Sequence, residues 1–233
     1  MPTQPMRVGL IVPSSNTVME PDFHRHLGQI ALVSTARIFL TDVTREAEMR
    51  MLEEDLPRAV EQLRTTGPEV VVFGCTSAGA LGTLSHDDAI AEMIEKQSGA
   101  RAITVLRAVL TRLGPIRPTQ VAVFTPYIED LTRSIARSLT EGGYKVIKAS
   151  GMGIEANLEI GKVTPRQIEQ FVESQLSGIH PDCIFLSCTN WRAIDAIASL
   201  EAKLGIPVIS SNQAAISFLQ KQAETLLTKE ARS

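Results

Sequence analysis

Two cysteines, Cys75 and Cys188, stand at the ends of apolar runs with matching surroundings. Residues 68–77 read proline, acid, apolar stretch, small residue, Cys-Thr and a small polar residue. Residues 181–190 repeat that order at a shift of 188 − 75 = 113. The same shift superposes residues 8–13 on 121–126, because 126 − 13 = 113. One gap-free shift joining two separate segments implies a duplicated unit, with one thiol from each half across a pseudo-twofold axis. Facing thiols can act as acid and base, or as nucleophile and proton donor, because the thiolate is both a base and the reactive form of cysteine.

The residues around the thiols extend that chemistry. Cys75 is followed by Thr76, Ser77 and a run of small residues. Small residues after a strand let backbone N–H groups approach an anion, and the hydroxyls add donors. Such a nest is expected to favour the thiolate. A lone cysteine there would read more simply as a buried thiol beside a glycine-rich turn. The matched Cys188-Thr189-Asn190 reverses that weighting, since burial alone does not ask for cysteine in both halves. Cys183 is the control: it lies inside the apolar run, opposite Val70 under the shift, and reads as core. Ser14-Ser15-Asn16-Thr17 either binds a carboxylate or forms an ordinary turn and helix cap. Tyr127 follows Pro126, the counterpart of Pro13, and either enters the same cleft or packs in the core. Asn157 lies in a glycine-bounded connection and by itself says little. Trp191 follows the second thiol loop and either walls the cleft or packs.

Other chemistries find no support in the residue spacing. His24, His26, His86 and His180 show no metal-ligand spacing with cysteine, so no metal is expected. No Gly-x-Ser-x-Gly elbow, Walker or dinucleotide fingerprint occurs. The chain has 233 residues, 44% of them hydrophobic, which is ample for a packed core. A formal net charge of −3 with scattered Lys and Arg supplies no basic footprint for nucleic acid. No run approaches the ~20 apolar residues that span a bilayer. The N-terminal residues 1–7 lack a signal-peptide apolar region and are expected to lead straight into a strand, so a cytoplasmic protein with reduced thiols is expected.

The elements that must position these residues follow from apolar runs alternating with helical patterns. Strands are expected near 8–12, 30–40, 70–73, 102–105, 121–124, 144–148, 183–186 and 207–209. Helices are expected near 19–27, 56–63, 85–96, after 105 to 113, and near 127–141, 165–177, 193–204 and from 213 onward. This order implies right-handed βαβ units and parallel sheets, an α/β fold. The shift divides it into a first half, 1–114, and a second half, 119–211, joined by Pro115-Ile116-Arg117-Pro118. Residues 212–233 are available to pack on the first half. Pro13, Cys75, Pro126 and Cys188 all fall at strand carboxyl ends, where ligands bind on such sheets.

Val12-Pro13-Ser14-Ser15-Asn16-Thr17 and the two Cys-Thr loops resemble the Asp/Glu racemase superfamily, nearest its maleate cis–trans isomerase branch, with arylmalonate decarboxylases adjacent. The resemblance covers essentially the whole chain and rests on Asn16, Cys75, Tyr127, Asn157 and Cys188. It implies two similar four-stranded halves with the site between them, and cofactor-independent chemistry on a small carboxylate or dicarboxylate. It would make Cys75 a nucleophile toward an alkene and Cys188 its acid/base partner. Asn16 and Asn157 would hold carboxylates and Tyr127 would donate to one, with Ser14, Thr76, Ser77 and Thr189 completing the substrate contacts. It also suggests a homodimer or larger homo-oligomer. Racemases of the superfamily typically carry Cys-Asn-Thr where this chain has Cys75-Thr76-Ser77, and arylmalonate decarboxylases have glycine in place of the first cysteine. Maleate to fumarate is therefore the leading expectation. A racemase or epimerase of an amino-acid derivative, a decarboxylase and a non-catalytic carboxylate-binding protein remain as alternatives.

Overall fold

The first sheet is built on β1 (Met6–Pro13), whose alternate and then continuous burial marks a strand covered on both faces. A computed structural model describes residues 4–230, and side chains over 4–225. The sequence readings that fall on residues 1–3 and 231–233 lie outside the described residues. From β1 the chain runs through α1 (Met19–Leu27) to β2 (Ala31–Ile38). A long helical run follows, made of α2 (Arg45–Arg50), a wider π-helical stretch (Met51–Asp55) and α3 (Leu56–Arg64). Next come β3 (Val70–Phe73), the single turn α4 (Thr76–Gly79), α5 (Leu84–Ser98), β4 (Arg101–Thr104) and α6 (Val105–Ile116).

The second half repeats the plan. It comprises β5 (Val121–Thr125), α7 (Glu129–Glu141), β6 (Val146–Gly151), α8 (Asn157–Lys162), α9 (Pro165–Gln175), β7 (Cys183–Leu186), α10 (Ile194–Leu204) and β8 (Val208–Ser210). Helix α11 (Ser211–Glu230) then returns to pack against α6 and α1 of the first half. The two parallel sheets have the orders β2-β1-β3-β4 and β6-β5-β7-β8. Even the register repeats: Val8 pairs with Val70, and Val121 with Cys183, so 121 − 8 = 183 − 70 = 113. The shift ends at the last strands, where 208 − 101 = 107.

Three expectations differ from the structure for local reasons. Pro115 does not break α6, because it lies in the last turn; the stop comes at Arg117, in the left-handed region at φ 51°. Strand β6 begins later and runs further than its apolar pattern suggested, pairing with β5 as far as Gly151. Helices α2, α4 and α8 were not expected at all. Thr44 caps α2 by accepting from the Ala47 N–H at 3.3 Å, so a charged stretch becomes helix rather than loop. That helix brings Glu48 indoors, fully buried.

Candidate active site

Both thiols line one pocket where the carboxyl ends of the two central strand pairs meet. Its floor and walls come from the first half through Pro13, Asn16, Glu48, Cys75 and Ser77, and from the second through Tyr127, Asn157, Cys188 and Thr189. Leu40 and Val43 form the roof. The cavity is closed down to about 10 Å³, roughly the room of one water. The closure is built from backbone: Val43 N–H donates to Glu155 O at 2.7 Å and Asn157 N–H to Thr41 O at 2.9 Å. Asp42 and Ala156 thus form an antiparallel bridge from one half to the other.

Cys75 is placed by a close approach of strands. Gly74 N–H donates to Ile11 O at 2.7 Å, and a Cβ on Gly74 would lie 2.6 Å from Met19 Sδ and 2.7 Å from Ile11 O. Only glycine fits there, and the next residue turns into α4 with its thiol facing the cavity. The thiol donates to Glu48 Oε1 at 3.8 Å, and Ser77 Oγ lies 3.8 Å from the sulfur. Ser77 Oγ also donates a short hydrogen bond to the same Glu48 oxygen. Burial pushes the Cys75 thiol well above its ordinary value, and the Glu48 carboxylate adds to the rise; the Ala78 N–H and Ser77 hydroxyl oppose it without prevailing. The nest expected to favour the thiolate is therefore outweighed by desolvation.

Cys188 has a different setting. Its sulfur accepts from the Asn190 N–H at 3.2 Å. Burial raises this thiol to about 12, while the Tyr127 phenol and the Asn190 and Trp191 N–H groups pull it down. Tyr127 is itself buried and pushed well above the ordinary phenol range by desolvation and by the two thiols. Cys183 is fully buried within β7, outside the pocket lining, and burial raises it to about 12.

The asparagines knit the halves together at the pocket's edge. Asn16 Oδ1 accepts from the Val18 and Met19 N–H groups at 3.0 Å, and its Nδ2 donates to Thr189 Oγ1 at 3.0 Å. Thr189 in turn donates to Gly74 O at 2.9 Å. Asn157 Nδ2 donates to Ser15 Oγ at 2.8 Å, and Asn190 Nδ2 donates to Asn157 O at 2.6 Å. A side-chain amide has two N–H groups, so Asn16 and Asn157 each keep one beyond these bonds.

The pocket thus gathers Asn16, Cys75, Ser77, Tyr127, Asn157, Cys188 and Thr189. It does not take in Ser14 or Thr76. Ser14 is exposed and accepts from the Leu40 N–H at 3.1 Å, while buried Thr76 shares a hydrogen bond with Ser211 at 2.9 Å. Both support the loops that bear on the site. Trp191 is fully buried and lies outside the lining. Sequence reasoning missed Glu48, Leu40 and Val43. The available signal was Thr44 as a cap before Ala47, Met51 and Leu52 at helical spacing, with an acid on the apolar stripe.

Comparison with known proteins agrees with this architecture. A family model described as arylmalonate decarboxylase matches residues 8–231. A maleate isomerase from Geobacillus stearothermophilus is 27% identical, over 96% of this chain and 92% of its own. An arylmalonate decarboxylase from Bordetella bronchiseptica is 26% identical, over 89% of this chain and 86% of its own. The crystal structure of a maleate isomerase from Pseudomonas putida S16 with maleate superposes with a TM-score of 0.84 at 25% identity, covering 90% of this chain and 88% of that one. On the match along nearly its whole length, the chain belongs to the arylmalonate decarboxylase family.

Proposed function

We propose that the protein is a cofactor-independent isomerase of a small dicarboxylate, with maleate to fumarate as the first reaction to test. The observation that carries this reading is the pair of thiols from opposite halves lining one closed pocket whose rim bears spare amide N–H groups. The likeness to maleate isomerases points the same way. Asn16 and Asn157 hold the carboxylates through their remaining N–H groups. As the Cys75 sulfur adds to one alkene carbon its S–H bond breaks, the proton passing to a carboxylate oxygen of the substrate, and Cys188 delivers its own proton to the other carbon. The central carbon–carbon bond is then single and rotates. Cys188 takes its proton back, the carbon–sulfur bond breaks, the Cys75 sulfur recovers its proton from the carboxylate, and the alkene re-forms in the trans geometry.

Tyr127, beside Cys188, stabilises the thiolate left after proton delivery. A cysteine at both positions disfavours decarboxylation, which in the resembling enzymes uses the second thiol alone. Proton NMR of purified protein with maleate tests the proposal. Fumarate should appear without added cofactor, and Cys75→Ser should not form it. Unchanged maleate across a pH series would end the isomerase reading.

A further inference from the structure

The pocket contains an acid that the scheme above does not use. Glu48 sits on α2 with no exposure to solvent, beside the Cys75 thiol, and lines the same cavity. Its two oxygens are treated differently. Oε1 accepts from Ser77 Oγ and from the Cys75 thiol, whereas buried Oε2 has no partner among the described residues. An unsatisfied buried polar atom is costly and asks for an explanation. When the carboxyl is neutral, the two donors on Oε1 make that oxygen the carbonyl and leave Oε2 as the O–H. A buried O–H on a residue that lines the cavity lacks only an acceptor, and the acceptor a carboxylate substrate brings is an oxygen.

We propose that Glu48 acts as a neutral carboxyl whose Oε2–H binds one carboxylate of the substrate, making it a specificity-determining residue of this site. The inference rests on the dicarboxylate reading given above. Charge arithmetic favours it. Among the described residues no Lys, Arg or His lines the pocket, so an ionised Glu48 would face a dianion and two thiols without a neutralising cation. Arg45, the cation that acts on Glu48, is held by Leu81 O at 2.8 Å and by Asp130 at 3.5 Å. Desolvation raises Glu48 to about 8, against the pull of Ser77, Cys75 and Arg45. The other titratable groups that face it, Cys75, Cys188 and Tyr127, ionise at higher pH. A protonated acid giving a hydrogen bond to an anion in an apolar site is established chemistry for carboxyls kept neutral by burial.

The test is calorimetric titration with succinate, the saturated diacid, from pH 7 to 9.5 in buffers of different ionisation enthalpy. It is run on the wild type, Glu48→Gln and Glu48→Ala, beside maleate turnover of the wild type. Wild-type binding should take up a proton above about pH 8, with affinity falling about tenfold per pH unit. Glu48→Gln keeps an N–H donor without a titrating group. It should recover most of the affinity that Glu48→Ala loses, which is tenfold or more, and should abolish proton uptake. Equal losses in the two variants, proton uptake that persists in Glu48→Gln, or no succinate binding by the wild type would overturn the proposal. Proton-linked succinate binding without maleate turnover would sustain Glu48's role and overturn the isomerase reading alone.

Discussion

The two thiol loops share a strand register and a shift of 113 residues, yet their surroundings weigh on the two thiols differently. Around Cys75 stand an acid and a hydroxyl, Glu48 and Ser77, and the acid when ionised opposes a thiolate. Around Cys188 stand donors, the Tyr127 phenol and the N–H groups of Asn190 and Trp191, which favour one. Duplication fixes where a thiol sits, and the helices added around each copy decide what it does. The donor-rich setting suits a thiol that gives a proton away and is left charged. The other setting suits a thiol that keeps its proton until its sulfur bonds to carbon.

The largest break in that comparison is Cys75→Ser, expected to lower kcat about a thousandfold or more, since removing a nucleophile disables the unit it belongs to. Stopped assays of fumarate formation would show it. Tyr127→Phe removes a hydrogen bond to a developing thiolate, about 1.5–3 kcal/mol, and should cost roughly tenfold to a hundredfold in kcat with a smaller change in KM. An equal loss through KM alone would make Tyr127 a binding group and weaken the contrast between the loops.

The acid on the first loop also sets a pH signature on stability. In the folded state Glu48 keeps its proton to about pH 8, whereas an unfolded carboxyl releases it near 4.5. The folded state therefore binds more protons in that window. Stability should be full below about pH 4.5 and decline as pH rises toward 8, by at most about 1.4 kcal/mol per unit. Buried Asp87, raised to about 7 mainly by desolvation, contributes in the same sense over a narrower window. Denaturant unfolding from pH 4.5 to 8 should show the decline, and Glu48→Gln should flatten it.

Packing around the thiols differs as well. Gly74→Ala places a methyl against Ile11 O and Met19, so a loss of about 1–3 kcal/mol is expected from the shift in unfolding midpoint. Its counterpart Ser187 already carries a side chain, and Ser187→Ala should be nearly neutral. Modest effects are expected at helix caps. Thr44→Ala and Thr164→Ala should each cost about 1 kcal/mol of stability. Only the first should also raise the KM for maleate, because α2 carries Glu48 to the pocket and α9 carries nothing there.

The strands were readable because their residues are buried on both faces, and continuous apolar runs such as residues 70–73 and 183–186 survive any context. The thiol loops were readable because the repeat aligned them. Helix α2 was not, since its first turns are dominated by Arg45, Glu46, Glu48 and Arg50, a composition that reads as solvated surface. Its burial of Glu48 is a tertiary fact, made by the roof that pairs Val43 with Glu155. Asn157 read as loop because the single short helix it begins is fixed by contacts with Thr41 and Ser15 of the other half. Ser14 and Thr76 looked like ligands for the opposite reason: their neighbours in sequence face the pocket, while their own hydroxyls bond Leu40 and Ser211.

The central claim is that Cys75 adds to the alkene while Cys188 moves the proton. Intact-mass spectrometry of the Cys188→Ser protein after incubation with maleate tests it most directly, with peptide mapping of any adduct. The account predicts a covalent adduct of one diacid per chain on Cys75, formed while fumarate release is slowed. An unmodified Cys75, or an adduct confined to Cys183, would contradict it.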